Sequence, residues 1–424
     1  MKELNIAVIG GVDCGKSSLL SVLKNYELDD GKGLARSKIV KFKHELESGR
    51  TSAVNQHFLQ IDEDKLVCFV DLCGHEQYLK TTLHGMCGYN IDYAIIVIGG
   101  NLSITDMTRE HLNTCLSLNI PFIVVITKID NAPEHILERT KEVLRELLIQ
   151  KVKFRNILWM ENETQEQIIQ GQLQINNLMK NVPIFMVSNK TGQNIDFLRQ
   201  FIFQLPIRNT WVEEDNEHNS DNRNVLFSID NFFLVKGIGN VVSGRLFKGN
   251  IKKNDKLFLG PFNGQFYQVS VRSFHDNFRN LIEKMDCGMS GCILIKSTNK
   301  QIDFKHFKHR KGVYLMSEEE MRNSIYSDFE AEVIVMGKHS TQISRNYTPV
   351  INCKKIVQSA RIIEIKNKDY IRPGERSMIH FQFIHRPEFL QVGDRFIFRE
   401  GTTRGVGIIR ALIRPDLVEV PSHA

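Results

Sequence analysis

Gly10, Gly15, Lys16 and Ser17 fit the pattern G-x-x-x-x-G-K-[ST] within the run GGVDCGKS. Glycines at that spacing let the backbone curl so that consecutive N–H groups turn inward, where they and the positive end of a following helix can hold phosphate oxygens. Lys16 adds a point charge, and the Ser17 hydroxyl is a hard oxygen ligand of the kind Mg²⁺ prefers. The whole loop of Gly10, Gly11, Val12, Asp13, Cys14, Gly15, Lys16, Ser17 and Ser18 is therefore the expected cradle for a triphosphate. Such a loop needs a strand to deliver it and a helix to leave from it. Ile6 to Ile9 reads as a buried strand, and Ser18 to Lys24 as the opening of a helix.

Three further stretches carry chemistry at a strand's end. The apolar run Lys65 to Asp71 (KLVCFVD) ends in an Asp and continues through Leu72 and Cys73 to Gly74, which completes D-x-x-G. An Asp there can hold Mg²⁺ through water, and the Gly74 N–H can sense whether a γ-phosphate is present. Pro121 to Ile126 (PFIVVI) leads into Thr127, Lys128, Ile129 and Asp130. The Asp130 carboxylate can accept two hydrogen bonds from the N1–H and 2-amino group of guanine, donors that adenine does not present together. Val182 to Val187 leads into Ser188, Asn189 and Lys190, whose backbone N–H groups can reach the guanine O6. Thr127, Lys128, Asp130, Ser188, Asn189 and Lys190 are thus the expected guanine-binding set, and the four motifs in order point to GTP or GDP with Mg²⁺.

The stretches Asp71 to Thr82 (DLCGHEQYLKTT) and Thr108 to Leu112 (TREHL) resemble the translational GTPases related to elongation factor Tu. Gly49-Arg50-Thr51-Ser52, Gly85-Met86, Thr127 to Asp130 and Val241-Val242-Ser243-Gly244 are similar, more narrowly, to the class called GTP-binding protein one and two. The resemblance covers nearly the whole chain, with its most specific motifs in the first half. It implies that Thr51 is the switch threonine that closes on Mg²⁺ and the γ-phosphate, which makes Ser17, Thr51 and Asp71 the metal set. It also implies that His75 is the catalytic residue, positioning the attacking water. The implied activity is that of an elongation-factor-like GTP hydrolase acting on the ribosome, tRNA or another structured RNA, with hydrolysis driving a domain rearrangement. A GTP switch subunit that regulates a protein partner or a metabolic enzyme is the alternative reading. Three residues depart from the broader pattern: Cys14 stands where His is usual, Arg50 where many members place an apolar residue, and Thr127 where N-K-x-D has Asn. Thr127 keeps a hydroxyl but loses the amide's fork, which predicts weaker bracing of the phosphate loop.

These motifs need several domains to carry them, and a chain of 424 residues is long enough for two to four. Strands alternate with helical stretches through residues 1–207, the pattern of a mostly parallel sheet covered on both faces by helices, so this is the expected GTP-binding domain. Within it, the basic and polar stretch from Gly31 to Arg50 reads as a mobile switch region, and Lys151 to Lys180, rich in Gln and Asn, as a helical surface excursion. Residues 208–224 are polar and acidic, the expected linker. Beyond it the runs become short and β-forming, with a hairpin signal at Asn263-Gly264. The family resemblance implies two β-barrels here, over 225–300 and 328–424, joined by a connector at 301–327.

No run approaches the roughly 20 apolar residues that span a bilayer, and the charged start Met1-Lys2-Glu3 does not read as a signal peptide. Eight scattered cysteines without a C-x-x-C pair fit a reducing cytoplasm and argue against disulfides or a zinc site. A monomer is expected. Residues 1–224 hold 24 Lys and Arg against 29 Asp and Glu, net −5, whereas residues 225–424 hold 31 against 20, net +11. That asymmetry concentrates positive potential on the β-domains, as a phosphate-binding face would.

Overall fold

The computed structural model describes residues 2–40, 45, 51–62, 65–102, 104–151, 156–160, 181–208, 224–262, 264–297, 304–307, 310–323, 325–336, 342–400 and 403–413. It divides into two compact units, 1–208 and 209–424.

The first unit is a three-layer α/β/α sandwich. Its strands are β1 (Lys2–Gly10), β2 (Asn55–Gln60), β3 (Lys65–Asp71), β4 (Tyr93–Gly99), β5 (Phe122–Thr127), β6 (Asn156–Met160) and β7 (Asn181–Met186), in the sheet order β2-β3-β1-β4-β5-β7-β6. Only β2 runs antiparallel to its neighbour; the remaining pairings are parallel. Strands buried on both faces must be apolar throughout, and β4, YAIIVIG, is buried at every position. Alternation then divides each strand between two cores. Ile6 and Val8 pack with Leu19 and Leu23 of α1 (Lys16–Asn25) and with Phe197 and Phe201 of the helix Ile195–Gln204. Ala7 and Ile9 pack on the opposite face with Met86, Leu112 and Leu147, from the helices Leu79–Gly88, Asp106–Leu118 and Glu134–Lys151.

Two local expectations change. Asn156–Met160, within the stretch read as a helical excursion, is the edge strand of the sheet and pairs parallel with β7. The reason is an apolar run of alternating facing: Leu158 and Met160 join one core while Ile157 and Trp159 join the other. The rest of that excursion, 161–180, lies outside the described residues. In the switch stretch, Leu34–Ser37 forms one short helical turn; Gly49 and Arg50 lie outside the described residues.

The second unit contains two closed six-stranded antiparallel barrels. The first runs Lys256–Phe262, Tyr314–Met316, Leu226–Val235, Gly239–Lys248, Ser290–Ser297 and Gln265–His275, and closes because the last strand pairs with the first. Its short strand Tyr314–Met316 comes from the stretch read as a connector. That segment is drawn into the wall because Val313 and Leu315 point into the same core as Phe227, Val242 and Ile293. The second barrel comprises Asp328–Met336, Arg376–Phe383, Ile356–Ile365, Val350–Cys353, Arg395–Glu400 and Thr403–Ile413. It encloses Phe329, Phe381, Phe396 and Phe398. Gly405 and Gly407 give the last two of those rings room, since a Cβ at either would overlap the ring opposite. The hairpin between Lys256–Phe262 and Gln265–His275 turns through Gly264 at φ 81°; Asn263 lies outside the described residues. Among the described residues no helix is long and apolar enough to cross a membrane.

Candidate guanine-nucleotide site

The end of β1 and the start of α1 bracket the glycine-bounded loop. Gly10 passes so close beneath β4 that a Cβ would overlap the Val97 carbonyl oxygen, and Gly15 caps α1 at φ 87°, so both positions require glycine. Asp13 also adopts a left-handed conformation, φ 58°, which completes the curl. Lys16 is buried and donates from Nζ to the Gly11 carbonyl at 2.6 Å, which aims its charge across the loop. Gly74 sits directly against this loop. A Cβ there would overlap Lys16 Nζ and stand 2.7 and 2.8 Å from the carbonyl oxygens of Gly10 and Gly11. The D-x-x-G glycine is thereby held where its N–H can meet a terminal phosphate.

The metal set converges. Ser17 Oγ donates to Asp71 Oδ2 at 3.1 Å and lies 3.4 Å from Thr51 Oγ1. Asp71 is almost wholly buried, and its Oδ1 has no hydrogen-bond partner among the described residues. Burial pushes this carboxyl up to about 6, against the opposing pull of Lys16 and the Ser17 hydroxyl. An unpartnered buried carboxylate oxygen beside two hydroxyls is a hard-oxygen donor set, and it fits Mg²⁺. Thr51 is fixed from behind by a residue that no motif signals. The Glu45 carboxylate accepts from Ser52 N at 2.7 Å, Ser52 Oγ at 2.9 Å and Ala53 N at 3.2 Å.

His75 opens a short 3₁₀ turn, and its Nδ1 accepts from the Gln77 N–H at 3.2 Å. An accepting Nδ1 places the proton of the neutral ring on Nε2. Lys16, Ser17, Thr51, Gly74 and His75 line a single cavity of about 340 Å³, together with Val12, Asp13, Gly15, Ser18 and Lys128. Lys32 and Arg36 also line it, two cations spaced i, i+4 in a stretch that reads from sequence only as basic and polar.

At the base end, Asp130 follows β5 and is exposed, its Oδ1 accepting from Ser188 Oγ at 2.6 Å. Ser188 in turn receives the N–H groups of Lys190 and Thr191, at 3.2 and 3.0 Å. The motif from β5 and the motif from β7 are thus one unit. Buried Asn189 stands over Gly15 and carries an Oδ1 without a partner among the described residues. Lys128 donates from Nζ to the Asp13 carbonyl at 2.7 Å. Thr127, expected with the guanine set, is fully buried and faces the phosphate loop instead: its Oγ1 donates to the Cys14 carbonyl at 2.6 Å. The hydroxyl therefore keeps one brace to the loop without an amide. Cys14 is buried, its thiol pushed up by burial, and its Sγ lies 3.1 Å from the Gly11 carbonyl.

A nucleotide loop of this type on a mostly parallel sheet, with two closed barrels following, defines an elongation factor Tu-like GTPase architecture. Residues 1–208 match the elongation factor Tu GTP binding domain, and residues 323–413 match the elongation factor Tu C-terminal domain. The chain is 37% identical to GTP-binding protein 1 of Xenopus laevis over 97% of its own length and 64% of that protein's. It is 32% identical to GTP-binding protein 2 of Homo sapiens over 96% of its length and 68% of that protein's. It belongs to the family of GTP-binding proteins 1 and 2, within the elongation factor Tu-type GTPases. Its fold is shared with the translation elongation factor SelB from Methanococcus maripaludis, solved in complex with the GTP analogue GppNHp. That likeness has a TM-score of 0.68 at 21% identity and covers 98% of this chain and 80% of that one.

Proposed function

We propose that this protein hydrolyses GTP with Mg²⁺ and uses the step as a timer on the ribosome or another structured RNA in the cytoplasm. The observation that carries the reading is the convergence of Lys16, Ser17, Thr51, Gly74 and His75 on one cavity. Lys16 and the N–H groups from Gly10 to Ser18 hold the phosphates. Ser17, Thr51 and Asp71 would hold Mg²⁺, which would supply charge neutralisation at the oxygens in transfer. Gly74 reads the γ-phosphate, and Asp130 with the Ser188 to Lys190 loop reads guanine. The Nε2–H of His75 donates to the water oxygen and orients it, which suits a reaction governed by positioning and electrostatics. Without a partner such sites are slow, roughly 10⁻⁴ to 10⁻² per second. The net charge of +11 on residues 225–424 supports an RNA-facing role for the barrel domains. We assign 1–207 to the nucleotide domain, 208–224 to the linker, 225–300 to the first barrel, 301–327 to a connector, and 328–424 to the second barrel.

Single-turnover hydrolysis with purified ribosomes tests the reading. Ribosomes should accelerate the wild-type chain, and His75→Ala should slow the stimulated reaction by about 10²-fold or more with GTP affinity retained. Full activity in the variant would make His75 a bystander. Stimulation by a protein partner and not by ribosomes would favour the regulatory switch.

A further inference from the structure

The cavity has a cation that neither the phosphate-loop motif nor the metal set uses. Arg36, half-buried on the turn Leu34–Ser37, lines the same cavity as Lys16. Its turn is locally built: Asp30 Oδ1 accepts from the N–H groups of Lys32 and Leu34, and Asp29 Oδ1 accepts from Ala35 N at 2.9 Å. The Arg36 Nη2 donates to the Glu45 carbonyl at 3.0 Å, and its remaining N–H groups have no partner among the described residues. The carboxylate of that same Glu45 clamps Ser52 and Ala53, directly after Thr51. One residue therefore anchors both the guanidinium and the threonine that meets the metal.

We propose that Arg36 contacts the γ-phosphate of bound GTP and acts as a second, chain-supplied cation that stabilises the phosphoryl group in transfer. The inference rests on the hydrolysis reading above. In that step the water oxygen bonds to the γ-phosphorus as its bond to the β–γ bridging oxygen breaks. The electron pair stays on the bridging oxygen, now part of the GDP β-phosphate, and the water's proton leaves on inorganic phosphate. Charge gathers on the bridging and γ-oxygens, and a planar guanidinium can meet two of those oxygens at once. Lys32 also lines the cavity, but it is exposed and, among the described residues, makes no comparable anchor to the Thr51 segment.

Partner-free single-turnover hydrolysis by the full chain, wild type against Arg36→Ala, tests this together with binding of GDP and of GDP with aluminium fluoride. The variant should hydrolyse GTP about 10²-fold more slowly and lose a similar factor in affinity for GDP–aluminium fluoride. GDP affinity should be unchanged, which shows that the variant is folded, and added guanidinium should restore part of the rate. A wild-type rate in the variant overturns the proposal. So does a loss that guanidinium fails to restore, because Arg36 would then act only as a tether for Glu45. A wild-type chain that binds GTP but does not turn it over, alone or with ribosomes, would instead overturn the hydrolysis reading before any variant is compared.

Discussion

Asp71 and Glu388 are both buried carboxylates with one oxygen unpartnered among the described residues, and they serve different ends. Burial raises both, Asp71 to about 6 and Glu388 to about 7. Asp71 ends a strand behind the cavity-lining Ser17, whose Oγ donates to its Oδ2. Glu388 lies inside the second unit, where Oε1 accepts from Arg386 Nε at 2.9 Å and Gln358 Nε2 at 3.1 Å. Its Oε2 faces Gly312 so closely that a Cβ there would stand 3.2 Å away. The Asp71 carboxylate thus reaches the cavity through Ser17, whereas the Glu388 oxygen abuts backbone at Gly312. Beside Glu388 the surroundings are packed, with the Phe389 and Tyr314 rings tilted at 40° and their centroids 4.6 Å apart.

Substituting the two acids should separate these roles, with the largest effect at Asp71. Asp71→Ala should weaken Mg²⁺-dependent GTP binding by about 10³-fold, since a carboxylate on the cation contributes several kcal/mol. Titration calorimetry with and without EDTA would measure this, and an unchanged Mg²⁺ dependence would remove Asp71 from the metal.

Glu388 should act on stability through pH. Its folded carboxyl titrates near 7 against an ordinary 4.5, so the folded state holds the proton more tightly. Stability is then greatest below about pH 4.5 for this group and falls as pH rises through 7, by up to about 3 kcal/mol. Urea denaturation between pH 5 and 8, with saturating Mg²⁺ and GDP to occupy the Asp71 site, should show that slope in the wild type and a flatter one in Glu388→Gln. Equal slopes would show that Arg386 and Arg310 keep Glu388 ionised throughout.

Asp130, exposed and held by Ser188, offers the smallest effect. Asp130→Asn turns an acceptor pair into a mixed donor and acceptor and should shift preference from GTP toward XTP by about tenfold. Competition between the two nucleotides measures it, and unchanged guanine preference would remove Asp130 from the base site.

How much of the site could be read in advance follows from how local each feature is. The phosphate loop was legible because its glycines, lysine and serine act within one turn of chain, and the strand-end motifs because an apolar run announces where each one stops. The edge strand Asn156–Met160 is not legible because five alternating residues beside a polar tract carry little periodic signal. Tyr314–Met316 reads as connector for a similar reason: a strand of three residues is set by its pairings with Leu226–Val235 and Lys256–Phe262 and not by its own sequence. Lys32 and Arg36 had a signal, their i, i+4 spacing, but no motif to give it meaning. Glu45 had none.

The sequence alone determined the parallel sheet, the order of the nucleotide motifs and the choice of guanine, because each depends on residue type and near-neighbour spacing. Tertiary structure alone decided how those motifs share work. Thr127 braces Cys14 from 113 positions away, and Ser188 pins Asp130 from 58. The free oxygen of Asp71 becomes visible only when β3, α1 and the Thr51 segment meet. Such contacts depend on which strand lies beside which, and burial then raises the cost of leaving any polar atom without a partner.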